Sequence, residues 1–172
     1  GTRTAVWTAA LMGCGAMAAG FALGIGAGLA VAAYLTITLA YSRWGKHVPY
    51  LELGGIAAGF VLRAVVGAAA IGIGMSIAFL IVIGAASAFL AIGKRYSEML
   101  ELGDRAPQHR PVLAAYTTDG LEGLLWGTMA VAVLGYSAWA VSAETGEVGM
   151  HPLVLSIVPM AAAALRASRR IF

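Results

Sequence analysis

Long apolar runs broken by short polar stretches organise this chain. No charged residue occurs from Thr4 to Ser42, and none from Ala64 to Gly93. A helix of about 20 mainly apolar residues is long enough to cross the hydrocarbon core of a bilayer. The pattern predicts six such spans, at Ala5 to Ala22, Gly26 to Tyr41, Leu51 to Ala70, Met75 to Gly93, Leu121 to Val141 and Pro152 to Leu165. A membrane β-barrel would instead need strict alternation of polar and apolar residues, which these runs lack. The fold class expected is therefore an all-α polytopic transmembrane bundle forming a single domain over residues 1–172.

Glycine punctuates the runs. Gly24 and its neighbours allow a tight turn between the first two spans, which would make them a helical hairpin. Gly20, Gly24 and Gly28 also fit a small-xxx-small packing face, and the sequence does not choose between these roles. Pro159 is expected to bend the sixth span, because proline in a helix interior removes a hydrogen bond.

Composition supports the membrane reading. The 172 residues are 60% hydrophobic and 11% charged, against about 25% charged in soluble domains. The basic residues fall in the loops. With six spans, ten of the eleven Lys and Arg residues lie on one face: Arg3, Arg43, Lys46, Lys94, Arg95, Arg105, Arg110, Arg166, Arg169 and Arg170. The opposite face carries only Glu144, Glu147 and His151 as acidic or histidine residues. By the positive-inside rule, the chain is expected in the cell (inner) membrane with both ends and the two large loops cytoplasmic. The net charge of +3 therefore reflects loop anchoring and does not point to nucleic acid. A single cysteine, Cys14, excludes an intrachain disulfide framework and is expected to be a small buried packing residue. The chain opens on Gly1-Thr2-Arg3 and closes on Arg169-Arg170-Ile171-Phe172, and it is expected to be a piece of a longer protein.

Chemistry is expected where polar residues break the apolar pattern. Arg63 lies inside the third span, where a charge is costly and marks a polar cavity or a bound anion. Its bland alternative is a structural pair with Glu52 or a backbone carbonyl. At the end of the fourth span, Arg95, Glu98 and Glu101 recur at helical spacing, on one face if the helix continues. They read either as a solvated end with a local Arg95–Glu98 pair or as carboxylates holding Mg²⁺. Such an ion is usually bound by one or two carboxylates together with substrate phosphates. Lys94 and Arg95 beside them would take the remaining phosphate charge, and Tyr96 could hydrogen-bond in the same cavity. Asp119 and Glu122 suit the N-terminus of the fifth span electrostatically. His47, His109 and His151 are dispersed, and no P-loop, GxGxxG fingerprint or GxSxG elbow is present.

Four pieces of this sequence together resemble the UbiA superfamily of intramembrane prenyltransferases, and more closely its polyprenyl-phosphate phosphoribosyltransferase branch. They are Tyr41-Ser42-x-x-x-Lys46-His47, Gly59-Phe60-Val61-Leu62-Arg63-Ala64-x-x-Gly67, Gly93-Lys94-Arg95-Tyr96-Ser97-Glu98 and Tyr116-Thr117. The order and spacing match over roughly residues 40 to 118. The resemblance implies a nine-helix fold around a cavity open to the membrane, of which the six spans here would be helices three to eight. It places Tyr41 and Lys46 in the family's catalytic tyrosine–lysine motif. It gives Glu98 and Glu101 the metal-binding place of the second acidic motif, and makes Arg63, Lys94 and Arg95 substrate-phosphate contacts. The first aspartate-rich motif and the ninth helix have no counterpart in this sequence. The second motif carries glutamates where the superfamily usually has aspartates.

The implied activity is Mg²⁺-dependent transfer of 5-phosphoribose from phosphoribosyl pyrophosphate to a polyprenyl (decaprenyl) phosphate, a step in cell-wall lipid precursor synthesis. The implied partners are that lipid, the phosphorylated donor and the bilayer. The chain taken alone is expected to be inactive. Two alternatives remain at this level. One is a prenyltransferase of the same superfamily that moves an isoprenyl chain from its diphosphate to an aromatic acceptor. The other is a transporter, against which stand the sparse charges within the spans.

Overall fold

The computed structural model describes residues 1–142 and 156–171, and all regular structure among them is helical. Helix α1 covers Thr2–Leu23 and α2 covers Ile25–Arg43. Helix α3 covers Leu51–Ile71, and α4 covers Ile77–Leu102. A short α5, Ala106–His109, lies in the long loop; α6 is Thr118–Ser142 and α7 is Ile157–Ile171. Short pieces of 3₁₀ helix fill the connections at Gly45–His47, Gly103–Arg105 and Pro111–Ala115.

Five of these helices are long and apolar enough to cross a membrane, which makes this a multi-pass integral membrane bundle. The apolar runs give the expected elements, with two departures at the ends. The fourth helix does not stop at Gly93 but continues through Leu102. The sixth is described as 15 residues, about 22 Å at 1.5 Å per residue, and is shorter than the other spans. Pro159 is the third residue of α7. In the first turn its missing N–H would be unpaired anyway, so the expected bend has no cause there. The expected acidic loop of Glu144, Glu147 and His151, the start of the last run at Pro152, and the side chains of Arg169 and Arg170 lie outside the described residues.

The α1–α2 hairpin shows that both glycine roles hold. Gly24 turns the chain with φ 140°, a region that side chains rarely adopt. Gly20 and Gly28 are buried, and a Cβ on Gly20 would lie 3.3 Å from the Cα of Gly28. The small residues thus let the two helices touch backbone to backbone, whereas Cys14, expected to be buried, is exposed on α1.

Successive helices pack as neighbours, α1 on α2, α2 on α3 and α3 on α4, while α4 packs along α6. Ser76 caps α4 by accepting the Phe79 N–H at 3.2 Å, satisfying one of the donors left open at a helix start. At 26 residues, α4 is about 39 Å long, some 9 Å more than the hydrocarbon core. Its charged segment begins at Lys94, so the excess falls at that end.

The packed core sits under this overhang. Phe89, Ile92 and Tyr96 of α4 meet Leu53 of α3, Leu121 and Leu125 of α6, and Val112, Leu113 and Tyr116 of the loop. The buried core therefore lies at one end of the bundle, between the start of α3, the end of α4 and the start of α6.

Candidate functional site

Three segments converge at that end. Glu52 stands in the first turn of α3, Arg95 in the last two turns of α4, and Arg110 just after α5. A carboxylate in a first turn is favoured by the helix dipole, but Glu52 is also fully buried, which needs stronger compensation. It has it. Glu52 Oε1 accepts from Arg95 Nη2 at 2.6 Å and from Arg110 Nη1 at 2.6 Å. Arg95 Nη1 donates in turn to Glu98 Oε2 at 2.7 Å. The result is a four-residue chain, Glu98–Arg95–Glu52–Arg110. Two of its atoms, Glu52 Oε2 and Arg95 Nε, are buried without a hydrogen-bond partner.

A tyrosine pair fixes the start of α3 against the loop. Tyr50 adopts φ 62° and its N–H donates to Tyr116 Oη at 3.0 Å. The two rings meet edge to face with centroids 5.3 Å apart, a favoured aromatic arrangement. Burial pushes the Tyr116 hydroxyl above the usual tyrosine range, and the nearby Glu52 charge adds to this.

The network opens onto a cavity of about 310 Å³ lined by Glu98, Glu101, Leu102, His109, Arg110 and Leu113. Acidic residues from α4 face a histidine and an arginine from the loop. Among the described residues no group of three or more His, Cys, Asp or Glu side chains could hold a metal ion, so a protein-only metal cage is not built here. Two carboxylates on one cavity wall do fit Mg²⁺, which keeps waters or takes substrate oxygens in its remaining positions.

A second polar pocket, of about 180 Å³, lies between α2 and α3 and is lined in part by Tyr34, Tyr41, Phe60 and Arg63. Arg63 donates to Tyr34 Oη through Nε at 3.2 Å and Nη2 at 3.0 Å. Its guanidinium carbon is 4.8 Å from the Phe60 ring centroid and 5.3 Å from that of Tyr34, within cation–π range. Tyr41 also borders an adjacent apolar cavity of about 230 Å³ with Ile37, Trp44 and Leu51. The Tyr41 ring lies close against Gly55, where a Cβ would come within 2.5 Å of Tyr41 Cδ2. Gly55 is thus what lets the ring sit between the two cavities.

The structure divides the residues singled out from the sequence into groups. Arg95, Glu98 and Glu101 come together at the end of α4, as their spacing implies. Tyr41 and Arg63 come together between α2 and α3. Lys46, in the 3₁₀ turn after α2, and Lys94, about 100° round the helix from Arg95, are exposed and make no ion pair among the described residues. The alternative pairing of Arg63 with Glu52 is corrected: Glu52 belongs to Arg95 and Arg110, and Arg63 to Tyr34. The two residues are eleven positions apart on one helix, about 16 Å, so no side chain bridges them.

Sequence reasoning missed Arg110, His109 and Tyr34 as members of these sites, named Glu52 only as an alternative partner of Arg63, and gave Tyr116 no role beyond its place in the Tyr116-Thr117 motif. The helix register of α3 was a usable signal for Glu52, since it excludes Arg63 as a partner and requires another cation. Arg110 and His109 had no such signal, because no periodicity fixes where residues 103–117 fold back.

Comparison with known proteins gives a consistent picture. No family model matches the chain. It is 32% identical over 145 residues to a decaprenyl-phosphate phosphoribosyltransferase of Corynebacterium glutamicum, covering 83% of this chain and 43% of that protein. It is 36% identical over 118 residues to the protein of that name in Mycolicibacterium smegmatis, covering 67% and 36% respectively. With the one in Mycobacterium tuberculosis the identity is 32% over 160 residues, covering 92% of this chain and 52% of the relative. The chain thus spans about half the length, or less, of the curated relatives it matches. It is homologous to transferases of the branch of the UbiA superfamily that its motifs resemble.

Proposed function

We propose that the protein to which this chain belongs transfers a 5-phosphoribosyl group from phosphoribosyl pyrophosphate to a polyprenyl phosphate, with release of diphosphate. The observation that carries this reading is the cavity at the end of α4, where Glu98 and Glu101 face His109 and Arg110. One wall suits a hard cation and the other an anion, which together suit a metal-bound diphosphate. The names of the relatives support a phosphoribosyl donor and a decaprenyl phosphate acceptor.

In this reading an oxygen of the lipid phosphate attacks C1 of the ribose, and the C1–O bond to diphosphate breaks with its electron pair leaving on the diphosphate. Bound Mg²⁺ supplies charge stabilisation to the leaving group. Glu98 and Glu101 hold that cation directly or through water. Arg95, with both Nη groups committed to Glu52 and Glu98, carries its charge to the cavity from behind the wall. Lys46 and Lys94 gather phosphate at the mouth. Arg63 holds a phosphate oxygen in the pocket between α2 and α3, Tyr41 orients it, and the apolar cavity beside Tyr41 takes the first isoprene units of the acceptor. The cation-rich end faces the cytoplasm across the inner membrane, in keeping with the positive-inside rule, and the product serves cell-wall lipid synthesis.

The test uses the full-length protein in membranes with Mg²⁺, labelled phosphoribosyl pyrophosphate and a polyprenyl phosphate. Label is expected in the lipid extract, with loss of at least about 100-fold in Glu98→Ala and Arg63→Ala, the size expected when charge stabilisation is removed. Unlabelled lipid, together with prenylation of an aromatic acceptor from an isoprenyl diphosphate, would discard the substrate assignment. Normal rates in both variants would remove the site assignment.

A further inference from the structure

Glu98 and Arg110 line the same cavity, yet they do not touch each other. They are joined behind the cavity wall. Glu98 Oε2 is held by Arg95, Arg95 is held by Glu52, and Glu52 holds Arg110. The inner pair is closed to solvent, with 5% of the Arg95 side chain and none of the Glu52 side chain exposed, whereas 41% of the Arg110 side chain remains exposed. Arg110 comes from a loop, and its one side-chain hydrogen bond among the described residues is to Glu52, so that bond is what fixes its guanidinium.

We propose that Glu52 is a positioning residue for substrate binding: it anchors Arg110 so that its exposed face meets the phosphates of the donor opposite Glu98 and Glu101. The inference rests on the phosphoribosyl-transfer reading and adds Glu52 to it, with duties distinct from those of Arg110. Arg110 is the one that touches the anion, and Glu52 acts through it. One carboxylate oxygen serves both arginines while the other stays unpartnered and buried. A role confined to neutralising Arg95 would not require Oε1 to reach Arg110 as well. The shared oxygen couples the loop to the helix end, so the separation of the two cavity walls is set by this one side chain.

The experiment measures steady-state kinetics of full-length Glu52→Gln, Glu52→Asp, Arg110→Gln and the Glu52→Gln/Arg110→Gln double variant, varying phosphoribosyl pyrophosphate and polyprenyl phosphate separately. Glu52→Gln is expected to raise the KM for the donor at least tenfold while the KM for the lipid stays within twofold. Glu52→Asp is expected to recover part of the loss. Arg110→Gln is expected to match Glu52→Gln, and the double variant to be no worse than Arg110→Gln alone. Multiplicative losses in the double variant, or equal effects on both KM values, would assign Glu52 to general stability and overturn the proposal. If Glu52→Gln does not fold, Arg110→Gln decides, and an unchanged donor KM there overturns the proposal. A wild type that turns over no phosphoribosyl donor defeats the proposed function and this inference with it. A wild type that does, with Glu52→Gln unchanged, defeats this inference alone.

Discussion

The α1–α2 hairpin and the end of the bundle where α3, α4 and α6 meet are built from similar residues to opposite effect. In α1 only Gly20 is buried, and large apolar side chains such as Leu11 are 72% exposed. At the other end, Leu121 and Leu125 are 1% exposed and surround buried charges. Both regions obey the same solvent logic. An apolar side chain facing lipid loses nothing by staying out of the protein, because lipid tails are as apolar as leucine. Large side chains need burying within the protein chiefly where charged groups have to be enclosed. Hydrophobicity therefore says which segments enter the membrane, and charge says where the large side chains are buried.

The largest effect expected from this contrast is at Arg95. Arg95→Ala leaves Glu52 and Glu98 without their shared cation, and removing one partner of a buried pair costs about 3–5 kcal/mol. Reversible unfolding in mixed micelles should show a loss of that size, and a loss below about 1 kcal/mol would mean the network is solvated. Next comes the core around it. Leu121→Ala should cost about 2–5 kcal/mol, the range for buried leucine truncation, by the same measurement. Gly55→Ala is expected to cost about 1–3 kcal/mol through overpacking, because its methyl would come within 2.5 Å of Tyr41 Cδ2. Unlike Leu121→Ala, it should also lower the proposed transfer activity by displacing the ring.

The two regions were also unequally legible in the sequence. The spans, the Gly24 turn and the hairpin follow from uncharged length and glycine placement, which act locally. The Arg95–Glu98 contact is local as well, since residues three apart share a helix face. What could not be read was the partner of each buried charge. Glu52 reaches Arg95 over 43 positions and Arg110 over 58, and no local rule selects among the cations that such distances make available. Arg63 shows the same limit at shorter range. Its place in an apolar helix announced a polar partner, but the phenol of Tyr34 on the neighbouring helix looks like any interfacial aromatic until α2 and α3 are packed. The candidate site was visible as a set of costly residues, and its wiring was fixed by tertiary folding of the 103–117 loop.

Smaller effects sharpen the comparison. Tyr116→Phe removes the acceptor for the Tyr50 N–H and should cost about 1 kcal/mol, the net worth of one hydrogen bond. It also carries a pH signature. The folded-state pKa of Tyr116 is raised by burial, so its contribution is complete below the unfolded tyrosine value of about 10 and is lost as pH rises through the higher folded value. The wild type should therefore lose more stability than Tyr116→Phe as pH rises above about 10. Equal slopes would mean the hydroxyl is already open to water.

The smallest change is expected in α1, and it is the one that can break the contrast. Leu11→Ala removes a side chain that is 72% exposed, so it creates no cavity and forfeits few packing contacts within the chain. Substitutions at exposed positions usually fall within about 0.5 kcal/mol, and unfolding in micelles should place this one there. The reasoning depends on lipid being the neighbour of that face. Were Leu11→Ala to cost as much as Leu121→Ala in the full-length protein, the face would have to be packed against protein. The hairpin would then be an interior element of a larger bundle. Its exposed leucines would belong to the same kind of core as the one beneath the charged end, and the difference between the two regions would be one of partners and not of solvent.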